Sequence, residues 1–200
     1  MWVLALISVI TTLVLYGRSL TLPLYMDDVI YGRYASGISL PELFYRLDIV
    51  PYYRPMSLLP WKVLELVTGS YNAPMMHGFN LIVYILNGLL LGWLVQSVTR
   101  QSRFSIMTMM LYLTFPFSYQ TVPWAAALGH LMAGTGTLLA LIGLRFAQRG
   151  RAVLGQGLLF GGTLLAVFSH ENGIVVPLIV ALLWIVIRQT GQLLSPLWMA

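Results

Sequence analysis

The sequence has no cysteine, one lysine, three histidines and only six acidic residues. Without thiols it has no disulfides, no thiol nucleophile and no cysteine-based zinc site. Charge is scarcer still. Asp, Glu, Lys and Arg make up 8% of the chain, against about 25% in soluble domains, which need ionic groups to cover their surface. Stretches 1–17, 66–99, 104–144, 152–170 and 172–187 contain no Asp, Glu, Lys or Arg. Phosphate-binding loops, a His-Glu-x-x-His pair and a serine elbow are absent, as are low-complexity tracts and internal repeats. These shortages exclude a disordered chain, a disulfide scaffold and a cytosolic enzyme.

What is present is apolar. Hydrophobic residues make up 58% of the chain. A bilayer core of about 30 Å takes roughly 20 residues of helix, the size of the uncharged stretches. The expected fold class is therefore all-α, a single-domain polytopic transmembrane bundle over 1–200. About six spans are expected, near 1–16, 74–98, 104–117, 124–146, 152–168 and 172–187. The first lacks the basic start and small-residue cleavage site of a signal peptide and reads as a retained helix. Between spans one and two, residues 18–73 form a long segment with amphipathic helices on the membrane surface. One starts at Ser39-Leu40-Pro41-Glu42 and carries Leu43, Phe44, Leu47, Ile49 and Val50 around Glu42, Arg46 and Asp48. Another, over 54–67, lies half-embedded because it holds Pro60, Lys62 and Glu65.

The few charges sort by topology. Arg100, Arg103, Arg145, Arg149, Arg151 and Arg188 fall on one side with no acid among them. The positive-inside rule makes that side, and both chain ends, cytoplasmic, with the plasma (inner) membrane as the expected location. All six acids fall on the other side with Arg18, Arg33, Arg46, Arg54 and Lys62. The net charge of +5 thus reflects topology and implies no nucleic-acid partner.

Chemistry belongs on the acidic side. Asp27-Asp28 suits a general base or a cation site, the alternative being a solvated loop with Asp28 capping a helix over 29–35. Arg54, beside Tyr52-Tyr53, suits a phosphate head group or an interfacial snorkelling role. His77 and Asn80 sit one turn apart on one face of span two, either lining a cavity or bonding between helices; Asn87, two turns on, reads as packing. Glu171 begins the last span, as a helix-end cap or a third site acid. Gln120 and His130 carry no specific signal alone. Gly88-x-x-x-Gly92 and Gly157-x-x-x-Gly161 are small-residue packing motifs.

In this order, Asp27-Asp28, Arg54-Pro55-Met56, His77-Gly-Phe-Asn80, Val122-Pro-Trp124 and Ser169-His-Glu171 resemble the membrane glycosyltransferases of the GT-C fold, in the protein O-mannosyltransferase-like branch. The resemblance covers essentially the whole chain and implies the N-terminal membrane half of such an enzyme. It implies a polyprenyl-phosphate sugar as donor substrate and no bound cofactor, a divalent cation being compatible with the acid pair. It also implies transfer to an acceptor hydroxyl on the outer face, with Asp27 as base and Asp28 beside it. Arg54, His77, Asn80 and Glu171 would contact substrate. The pattern departs at Tyr84, where a histidine is usual, and at His170, where lysine is usual. The alternative is a non-catalytic membrane subunit of the same fold in a larger complex, with other membrane subunits as partners.

Overall fold

The computed structural model describes residues 2–46 and 52–190, and the described chain is all-helical. Helix α1 (Trp2–Tyr16) runs on through a 3-10 turn at Gly17–Thr21. The first long connection holds α2 (Asp27–Gly37), α3 (Glu42–Tyr45) and α4 (Pro55–Thr68). Then follow α5 (Ala73–Thr99), α6 (Ser102–Leu113), α7 (Leu128–Gln148), α8 (Ala152–Ser169) and α9 (Val176–Thr190). The α4 helix occupies the expected half-embedded segment. The helix expected from Ser39 is reduced to α3, where the Glu42 carboxylate accepts from the Ser39 N–H at 2.6 Å. Residues 47–51, its expected continuation, lie outside the described residues.

Among the described residues, five helices are long and apolar enough to cross a membrane: Leu4–Thr21, Ala73–Thr99, Ala125–Gln148, Ala152–Ser169 and Glu171–Gln189. The chain is an integral membrane protein. The third expected span, near 104–117, differs. At 1.5 Å per residue, α6 is only about 18 Å long. It ends just before Phe115-Pro116, where proline disfavours helix at the residue preceding it. The chain continues through 3-10 turns at Pro116–Gln120 and Ala125–Ala127. Non-helical backbone at membrane depth must be satisfied by protein, and α5 supplies the partners. Tyr84 donates to the Tyr112 carbonyl at 2.7 Å, and Asn80 Nδ2 to the carbonyls of Val122 at 3.2 Å and Trp124 at 2.8 Å. Two turns beyond Asn80 on the same helix, Asn87 donates to the Leu131 carbonyl and accepts from Thr135, joining α5 to α7 as packing.

Glycine sets the closest helix approaches. Gly88 and Gly92 face Leu113 and Ser105 of α6, as their motif predicts. The second motif is a misreading of register: Gly157 and Gly161 have open space where a Cβ would stand. The packing residues of α8 are instead Gly155 and Gly162, seven apart, against Gly143 and Gly136 of α7. A Cβ on Gly136 would lie 2.5 Å from the Gly162 carbonyl oxygen, and one on Gly143 2.6 Å from that of Gly155. This pair is the most extensive helix contact in the described chain.

The charges separate along the bundle. Arg145 and Arg149 both donate to the Ser97 carbonyl at the end of α5, at 2.9 and 2.8 Å, where the helix dipole favours cations. Asp28 and Glu171 lie at the opposite end, at the start of α7 and in the α8–α9 turn.

Candidate functional site

The acid pair divides at the start of α2. Met26 has φ 50° and ψ −118°, a strained conformation for a residue with a side chain. Beyond this bend Asp27 is exposed while Asp28 is 0% exposed. Asp28 Oδ1 accepts from the Ala126 N–H at 2.6 Å, and Oδ2 from the Tyr25 N–H at 3.1 Å. Ala126 belongs to the turn that opens α7, so Asp28 satisfies one of that helix end's free donors. It therefore does not cap its own helix, whose cap is Met26. Burial pushes the Asp28 carboxyl above its ordinary pKa, with Asp27 adding to the rise, while the two N–H bonds and neighbouring His77 oppose it.

His77 and Asn80 lie behind Asp28, both 0% exposed. Asn80 is occupied by the carbonyls of the returning segment. Both His77 ring nitrogens are buried without a well-formed hydrogen bond among the described residues, although the carbonyls of Leu22, Pro23 and Pro123 lie beside the ring. As packed, these two residues touch protein and form the floor of the acidic face.

Arg54 and Glu171, 117 positions apart, meet directly. Arg54 Nε and Nη2 donate to Glu171 Oε1 and Oε2 at 2.9 and 2.6 Å, the bidentate fork that guanidinium geometry favours. Nη1 donates to the Tyr31 hydroxyl at 3.2 Å, and the guanidinium sits 4.6 Å from the centroid of the Tyr52 ring. Burial alone would lower the Arg54 pKa; its bonds to Glu171 and Tyr31 outweigh burial and raise it. The Glu171 side chain is 47% exposed and that of Arg54 17%, so the pair opens to solvent on its carboxylate side.

Two histidines complete the group. The rings of His130 (α7) and His170 (α8–α9 turn) stack with centroids 3.8 Å apart. His170 Nδ1 accepts from the Asn172 N–H at 3.2 Å, so its 3.4 Å approach to Glu171 involves an unprotonated nitrogen. Burial, then the neighbouring His130 and Arg54, pull the His170 pKa down to about 4 against the attraction of Glu171.

The structure thus forms two layers. Asp28, His77 and Asn80 are a buried floor; Arg54, Glu171, Tyr31, His130 and His170 are a connected group above α4 and the α8–α9 turn. Helix α2 links them, carrying Asp27 and Asp28 in its first turn and Tyr31 one turn beyond. Tyr31 is the residue sequence reasoning missed. Its signal was its place three residues after Asp28, on the same helix face. No group of three His, Asp or Glu side chains is placed to hold a metal ion among the described residues. No protein-family model, curated protein or solved structure matches the chain.

Proposed function

We propose that the chain is a membrane glycosyltransferase-like protein, transferring a sugar from a polyprenyl-phosphate donor to an acceptor hydroxyl at the acidic face. Asp27 takes the hydroxyl proton as the acceptor oxygen bonds to the sugar's anomeric carbon. The bond from that carbon to the phosphate oxygen breaks, and polyprenyl phosphate leaves. Arg54 stabilises the departing phosphate once Glu171 gives up the fork. A lipid donor suits such a face, since its tail stays in the bilayer while its head reaches the acids. The acidic face is the outer one by the positive-inside rule, with both ends of the chain cytoplasmic in the inner membrane.

The observation that carries this reading is the division of the acid pair. A strained turn at Met26 leaves Asp27 free in the open while Asp28 is spent on the fold. Backbone strain beside a free acid is a pattern of functional sites. In proteoliposomes holding polyprenyl-phosphate hexoses and a hydroxyl acceptor, the wild-type chain should release polyprenyl phosphate. No release with any hexose defeats the reading.

One observation favours a second reading, a non-catalytic membrane subunit of a larger complex. Three of the five N–H donors of Arg54 are already engaged, including the Nε–Nη2 fork that would suit a phosphate best, which is held by Glu171. Purification at fixed stoichiometry with another membrane protein, and no release by the complex, would establish it.

A further inference from the structure

At the arginine-rich end a groove of about 510 Å³ runs between α7, α8 and α9. On α8 it is lined by Ala152, Gln156, Leu159 and Thr163, a single stripe along one helix face, and on α9 by Val180 and Trp184. From Ala152 to Thr163 the stripe is about 16 Å long at 1.5 Å per residue, close to the depth of one leaflet of a ~30 Å core. At about 510 Å³ the groove has room for a hydrocarbon chain.

Two arginines adjoin its lining residues. Arg151 directly precedes Ala152, and its guanidinium lies over the Phe146 ring, 5.6 Å from the centroid. Arg188 stands one turn beyond Trp184 and over its ring, 5.2 Å from the centroid. Both arginines are exposed, and neither pairs with a carboxylate among the described residues. A guanidinium lying over an aromatic ring keeps its N–H edges free for a phosphate. One turn along α8 from Ala152, Gln156 offers an amide at the depth where a lipid's ester groups would lie.

From these observations we propose that the groove is a binding site for an anionic glycerophospholipid, with an acyl chain between α8 and α9 and the phosphate between Arg151 and Arg188. The charge complementarity selects an anionic head, and the leaflet-length groove selects a chain. The site lies at the opposite end from Asp27 and Arg54 and does not depend on any transferase activity.

Native mass spectrometry of the delipidated protein tests this, with phosphatidylglycerol and phosphatidylcholine of identical chains as probes. Phosphatidylglycerol should be retained over phosphatidylcholine. Arg151→Gln with Arg188→Gln should weaken its retention about 25-fold, at roughly fivefold per arginine near a membrane surface. Arg103→Gln, at the same end but away from the groove, should leave retention unchanged. Leu159→Trp fills the groove and should abolish retention; if that variant does not fold, the arginine pair decides alone. Equal retention of both lipids, or an equal loss in Arg103→Gln, overturns the proposal. So does displacement of phosphatidylglycerol by equimolar polyprenyl phosphate, which would make the groove a donor-lipid site. A lipid-free dimer that loses its contact in Leu159→Trp would assign the groove to a second copy.

Discussion

Replacing Asp28 with alanine removes both acceptors that hold the start of α2 against the start of α7. The side chain is fully buried, and its partners are the backbone N–H groups of Ala126 and Tyr25, at 2.6 and 3.1 Å. The Ala126 N–H is buried and the Tyr25 N–H only partly so; a buried donor left unpaired costs about 1–3 kcal/mol, so Asp28→Ala should destabilise the fold by about that much. Asparagine keeps one acceptor oxygen but turns an amide toward the other N–H, so Asp28→Asn should cost about half as much. Asp27 is exposed and away from these bonds, so Asp27→Asn should stay within about 0.5 kcal/mol of wild type. Thermal unfolding of the purified protein in detergent, followed by tryptophan fluorescence, should rank wild type level with Asp27→Asn, then Asp28→Asn, then Asp28→Ala. If Asp28→Ala unfolds at the wild-type temperature, or Asp27→Asn falls as far as Asp28→Ala, the division of the acid pair is wrong.

Gly136→Ala or Gly162→Ala should separate α7 from α8 and cost about 1–3 kcal/mol as overpacking, whereas Gly157→Ala and Gly161→Ala, which meet open space, should be neutral or slightly stabilising. The same unfolding measurement checks both pairs. His170 titrates at about 4 in the folded protein against 6.5 unfolded, so the unfolded chain binds more protons between those values. Its contribution is present above pH 6.5 and is lost as pH falls toward 4; unfolding temperatures across that range should drop for wild type and flatten in His170→Gln. Arg54→Lys retains the charge but not the fork, and should behave more like Arg54→Gln than like wild type in a donor-concentration series, raising the apparent KM for the lipid donor.

The boundaries of α5, α7 and α8 were legible because an uncharged run, bounded by arginine or opened by Asn72-Ala73-Pro74, leaves little room for other placements. Span three was not, since its hydropathy continues past Leu113 while Pro116 ends the helix. The small-residue motif was read correctly at Gly88 and Gly92 but in the wrong register on α8. A spacing of four is the familiar signal, and the pairs that pack α7 on α8 are seven apart. His77 and Asn80 were correctly placed on one face, yet nothing local indicates that the segment after α6 returns to cover them. Adjacent aspartates look equivalent in sequence, and only the approach of Ala126 to one of them separates their roles. The pairing of Arg54 with Glu171 is created by the fold alone, since the two charges lie in segments joined through five intervening helices.

Sugar transfer by the Asp27→Asn variant, beside wild type in the same polyprenyl-phosphate-hexose proteoliposomes, tests the central claim most directly. General base catalysis is worth about 10²–10⁴-fold, so transfer should fall by that factor while the variant inserts and unfolds like wild type. Transfer at the wild-type rate would contradict the account.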